Sequence, residues 1–233
     1  MKRKKMFFWD YTFFLLIPPL ILAIYAQQKV RSTYKRLSEK VASSRISAAE
    51  LARRILNTSG AEVKVEKTSG RLTDHYDPRK RVLRLSEAVY GSSSIAALGI
   101  SAHETGHALQ HQEGYFALHL RNAIYPVVSF GSSLAFPIFF VGFIFSRQGP
   151  SILMDIGILL FAGAVIFSVL TLPVEFNASK RALVLLRQGG YLKRDELLEA
   201  RQVLSAAALT YVAATAMAAM QLLRLFLLRG SRR

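Results

Sequence analysis

His103, Glu104 and His107, within the run His103-Glu104-Thr105-Gly106-His107, have the types and spacing that suit activation of water by a metal ion. Two histidines four positions apart on an α-helix are separated by about 6 Å along its axis and lie nearly on one face, so both imidazoles reach one ion. The glutamate between them is rotated by about 100° from the first histidine, which brings its carboxylate beside the metal as a general base. Zinc accepts imidazole nitrogen and carboxylate oxygen. The chain has no cysteine, so disulfides and thiolate metal sites are both excluded. The bland alternative is a polar helix face with two solvated histidines. No proline lies between Ser86 and Arg121, so a helix is expected under either reading.

A catalytic zinc site takes three protein ligands and keeps one position open. His111 continues the stripe but stands about 12 Å along the axis from His103, too far to share an ion with both motif histidines. It is expected to be solvated or to support the site from outside. Gly114 comes too late for the glycine turn of the elongated three-histidine pattern, and His119 is set aside on similar grounds. Glu175 lies just past an apolar run, where an unpaired carboxylate is costly. A salt bridge with Lys180 or Arg181, or the preference of acids for helix starts, explains it as well as a role as third ligand. His75 and Tyr76 fall in an extended segment whose edge is able to pair with substrate backbone, or one of them serves the oxyanion. A surface turn stabilised by Asp74 and Asp77 is the structural alternative.

These residues are embedded in a chain of 233 residues that is 52% hydrophobic and carries a net charge of +16. Apolar runs at 7–26, 123–145, 152–174 and 203–223 are each long enough to cross a bilayer, and four membrane helices are expected. The first, preceded by the basic flank 1–5, has the alternative of a signal peptide. The lysine and arginine excess then reads as attraction to anionic lipid headgroups rather than to nucleic acid, for which no motif is present. Trp9 and Tyr11 suit an interfacial belt, and Pro18-Pro19 is expected to kink the first span near its middle. Residues 27–40 read as a helix lying along the surface. Ser47 to Glu50 forms a capping-box pattern, Val63 and Val65 alternate as in a strand, and 71–86 reads as two extended stretches about a turn at Asp77-Pro78-Arg79.

The short link at 146–150 makes the second and third spans a hairpin, so whatever follows Pro173 is on the membrane side of His103 and His107. Gly189-Gly190 ends that segment, and the basic stretch 229–233 closes the chain. Asp155 is expected at headgroup level. The expected fold is mainly α: a polytopic membrane protein with about four transmembrane helices, an H-E-x-x-H zincin-type helix and a small α+β lobe with a short sheet or hairpin. Its expected parts are an N-terminal span (1–26), a membrane-surface lobe (27–121) and a helical region (122–233). The last holds the hairpin 123–174, a third-ligand helix 174–188 and a final span 203–223.

Three stretches carry a family likeness: LTDHYDPRKRVLRLSE at 72–87, SAHETGHALQH at 101–111 and LPVEFNASKRAL at 172–183. Together with four spans they closely resemble the YugP-type membrane zinc metallopeptidases of bacteria, which look related to the HtpX-type and prenyl-protein-processing membrane peptidases. The resemblance implies Zn²⁺ bound by His103, His107 and Glu175, with Glu104 as catalytic base. It further implies a multi-pass protein of the bacterial cell membrane, cleaving membrane-associated protein or peptide substrates from the cytoplasmic face. In the HtpX-type pattern an aspartate follows the ligand glutamate by four residues; here that position is Ser179. The rival expectations are a zinc hydrolase of lipid or another membrane substrate, and a non-catalytic zinc-binding membrane protein, against which the intact Glu104 argues.

Overall fold

The computed structural model describes residues 11–70, 72–146 and 149–231. The expected basic flank 1–5, Trp9, the start of the first span and the last two residues of the basic tail lie outside them. Among the described residues, helix dominates. A 3-10 segment, Tyr11–Leu16, leads into α1 (Ile17–Ser38). Then come α2 (Ala48–Thr58), β1 (Lys64–Thr68), β2 (His75–Asp77), β3 (Val82–Ser86), α3 (Glu87–Tyr90), α4 (Ile95–Gln112), α5 (Phe116–Phe145), α6 (Ile152–Gln188) and α7 (Arg194–Gly230). Among the described residues, four helices are long and apolar enough to cross a membrane: Tyr11–Ser38, Phe116–Phe145, Ile152–Gln188 and Arg194–Gly230.

Pro18 and Pro19, where a kink of the first span was expected, sit in the first turn of α1 directly after the 3-10 segment. Two expectations about these helices need correcting. Residues 27–38 are helical but do not turn away as a surface helix, because they continue α1 unbroken to Ser38. Pro173 likewise falls inside α6, so the expected third-ligand helix 174–188 is the second half of one 37-residue helix. Long apolar helices tolerate an internal proline because neighbouring helices and local adjustments re-satisfy the freed backbone groups.

The chain divides into two compact units. One comprises the described part of Met1–Tyr25, Leu120–Thr171 and Thr210–Arg233. Its packing centres on Phe139, Met154, Ile158, Leu225 and Leu228. Gly157 lets α6 approach α5 closely: a Cβ there would stand 2.7 Å from the Ala135 carbonyl oxygen. Asp155 is paired with Arg229, one of whose bonds measures 3.0 Å, so the lone acid of that apolar run has a partner in its own unit.

The other unit comprises Ala26–His119 and Leu172–Leu209. Its sheet has the order β1-β3-β2, with β1 parallel and β2 antiparallel to β3. Hence the hairpin read around Asp77 is present, and Asp77 Oδ1 accepts from the backbone N–H of Arg79 and Lys80 at 3.0 and 3.2 Å. The central strand β3 buries Val82, Leu83 and Leu85. Asp74 accepts from both the backbone and the hydroxyl of Ser86, at 2.7 and 3.0 Å, which ties the approach to β2 back to the end of β3. Ser47 caps α2 by accepting from the Glu50 N–H at 3.2 Å, while the Glu50 carboxylate pairs with Arg54. A core of Leu51, Leu56, Leu83, Leu85, Ile95 and Leu98 joins α2, the sheet and α4, and Ala182, Leu186 and Leu204 extend it to α6 and α7.

Candidate metal centre

The helix that carries the motif is set in place before its histidines are reached. Ser94 caps α4 by accepting from the Ala97 N–H at 3.2 Å, and Ser101 donates to the Ala48 carbonyl at 2.7 Å, fastening α4 to α2. Thr105, between the motif histidines, is fully buried and donates to the Ser101 carbonyl at 2.7 Å. His107 is buried and His103 half-buried, so the solvated pair of histidines of the bland reading is absent. Gly106 has a steric reason to be glycine: a Cβ there would meet the Ala178 carbonyl oxygen at 2.8 Å. Backbone thus packs on backbone between α4 and α6, one residue before His107 and one turn after Glu175.

That approach brings the three sequence candidates together. His103 Nε2 lies 3.3 Å from Glu175 Oε2, and His107 Nε2 lies 3.6 Å from the same oxygen. The imidazole rings meet edge to face, with centroids 4.7 Å apart. All three donor atoms fall within 4.8 Å of one another. Ligands at about 2.0–2.1 Å around a tetrahedral zinc stand roughly 3.4 Å apart, so the spacing and the donor types suit that ion. Glu175 is only 3% exposed. For His107, burial opposes the charged imidazolium, but the Glu175 hydrogen bond and the charges of Glu104 and Glu175 outweigh it and hold the pKa above the ordinary 6.5. Glu104, half-buried on the next position of the helix from His103, is close enough for its charge to be felt at His107.

Both imidazoles are supported at the nitrogen facing away from Glu175. His103 Nδ1 contacts the Ser179 hydroxyl at 3.2 Å, so the serine at this position is placed to support that imidazole. His107 Nδ1 contacts Gln110 Oε1 at 2.9 Å, and Gln110 is fully buried. The sequence reading missed Gln110. Its one available signal was position, three residues after His107 and hence on the same helical face.

The remaining candidates make contacts of their own. His111 accepts or donates at 2.8 Å to the Tyr76 hydroxyl and packs on His119, with ring centroids 5.5 Å apart. His75 is exposed and contacts the Thr73 carbonyl at 2.8 Å through Nδ1. Burial pushes the Tyr76 phenol above its ordinary pKa. Arg181, one of the bases considered for Glu175, donates to Glu113 at 2.7 Å.

Residues 12–230 match the model of a family described as "Putative neutral zinc metallopeptidase". The chain is also 50% identical over 212 residues to "Putative membrane protease YugP" of Bacillus subtilis (strain 168), an alignment covering 91% of this chain and 93% of that protein. No solved structure matches.

Gly106→Ala forces a methyl against a backbone carbonyl that cannot swing aside, with an expected destabilisation of about 1–3 kcal/mol by thermal or denaturant unfolding. Gly91→Ala is the control, since that residue has φ −92° and nothing within 4 Å, and it should unfold like the wild type.

Proposed function

The chain belongs to the zinc metallopeptidase family whose model it matches, and from that premise we propose that it is a gluzincin-like, membrane-embedded endopeptidase. His103, His107 and Glu175 would hold zinc, and Glu104 would be the catalytic base. The observation that carries this reading is the convergence of two imidazoles and a buried carboxylate within 4.8 Å, beside a second carboxylate on the same helix. When bound, zinc supplies a Lewis acid that lets water be deprotonated near neutral pH and polarises a carbonyl.

The chain's own groups do the rest. Glu104 takes the proton of the attacking water and delivers it to the leaving amine nitrogen, so one carboxylate serves both halves of peptide hydrolysis. β2 is an edge strand of the sheet, which suits pairing with an extended peptide laid along α4. Of its two candidate residues, Tyr76 is the one bonded to α4, through His111, and so is the better placed to meet the substrate carbonyl. The substrates would be membrane-associated proteins or peptides, the membrane that of a bacterial cell, and the site cytoplasmic.

Glu104→Gln should keep its zinc but lose peptide hydrolysis by roughly 10²–10⁴-fold, the usual scale of a general base. Glu175→Ala should lose most of its zinc by elemental analysis; a Glu104→Gln protein that still cleaves, or a Glu175→Ala protein with full zinc, refutes the respective role. Zinc needs neutral imidazole, and His107 holds its proton to higher pH than an ordinary histidine. The rise in melting temperature on adding zinc should therefore grow as pH is raised through the range above 6.5, and shrink below it. A single cysteine at exposed Asn57, in a chain with none of its own, should react with an impermeant thiol reagent only after the cells are opened; labelling of intact cells would reverse the orientation.

A further inference from the structure

Behind His107 runs a chain of hydrogen bonds in which each link has one possible direction. Arg181 donates through Nε to Asn177 Oδ1 at 2.7 Å, and its NH1 reaches Glu113 at 2.7 Å. Gln110 donates through Nε2 to the same Asn177 oxygen at 2.9 Å and to the Val174 carbonyl at 2.9 Å. Its Oε1 then faces His107 Nδ1 at 2.9 Å. A guanidinium has no acceptor, so Asn177 must present its oxygen. A backbone carbonyl has no proton, so Gln110 must turn its amide nitrogen toward Val174 and its oxygen toward the imidazole. An amide oxygen only accepts, so this link needs the proton on His107 Nδ1, which leaves Nε2, the nitrogen that faces Glu175, as the atom that would face a metal ion.

We infer that Gln110 is a positioning residue that holds the Nδ1 proton of His107 and so keeps Nε2 free for a metal ion, and that the Val174 carbonyl and Asn177, itself oriented by Arg181, fix Gln110. This role rests on the zinc reading above. Val174 and Asn177 lie on either side of Glu175 in α6, so one buried amide also ties the turn bearing the proposed third ligand to the helix bearing the other two. Gln110 is wholly inaccessible, so water cannot replace its bonds. His103 differs. Its neighbour Ser179 offers a hydroxyl that either donates or accepts, and imposes no tautomer. The two histidines should therefore respond differently when the chain is cut.

The test uses the full-length protein in detergent, loaded with zinc and ¹⁵N-labelled at histidine. NMR reads the hydrogen-bonded Nδ1–H protons, and chelator competition reads zinc affinity. Gln110→Met removes the acceptor with little change of volume: the hydrogen-bonded Nδ1–H signal of His107 should be lost while that of His103 stays, and zinc should bind about 10–100-fold more weakly. Gln110→Glu keeps an acceptor oxygen and should restore the signal and most of the affinity. The inference is overturned if Gln110→Met keeps the wild-type signal and affinity, or if Gln110→Glu loses as much as Gln110→Met. Should Gln110→Met fail to fold, the zinc-loaded wild type decides: a His107 Nδ1–H with no hydrogen-bonded signal overturns the inference. A wild type that binds no zinc refutes the metal reading and this role with it, whereas a zinc-binding wild type with an unaltered Gln110→Met variant refutes this role alone.

Discussion

A carboxylate shut away from water is the constraint on which this structure turns. Glu175 keeps 3% of its surface exposed, and an isolated buried anion of that kind costs several kcal/mol unless positive charge or donors are arranged around it. Two imidazoles meet that demand in the protein as described, and a dication would meet it more fully. Delivering the carboxylate there requires α6 to touch α4 with no side chain between them. Gly106 and Ala178 make that contact, and Ala182 and Leu186 continue it into the apolar core shared with α2 and the sheet. The core residues therefore act on the site by setting how far apart two helices stand.

The same demand explains why the polar residues of α6 are grouped. The Val174 carbonyl and the side chains of Glu175, Asn177, Ser179 and Arg181 occupy about two turns, and all five contact residues of α4 or Glu113 just after it. Each contact restrains the rotation of α6 about its own axis. A rotation of one residue, about 100°, would carry the carboxylate out of reach of both imidazoles. An apolar face alone would tolerate such a slip far better than this set of directional bonds does.

Much of this was legible in the residues. The H-E-x-x-H spacing fixes two imidazoles on one helical face, and the parity of the membrane crossings puts Glu175 on their side of the bilayer. The Ser47 cap and the Asp77 turn are local, so their chemistry shows in a few adjacent residues. What escaped was non-local. Gln110 looks like any helix-favouring polar residue, because its role depends on Val174 and Asn177, more than sixty positions away. Pro173 misled for a different reason. Proline breaks an exposed helix, but in a long apolar helix the lost donor matters less.

Serine at position 179 bears on the chemistry as well as the packing. A carboxylate behind a metal-bound imidazole raises its basicity and adds a negative charge to the centre. Here both imidazoles are backed by neutral groups, the hydroxyl of Ser179 and the amide of Gln110. With one anionic ligand, the proposed zinc centre would keep a net charge of +1, and its Lewis acidity would be less diminished than with carboxylate support. The half-buried Glu104 is close enough for its charge to act on His107. In the proposed mechanism the two glutamates take their roles from their surroundings: the buried one is committed to the ion, and the one with access to water is left to move protons.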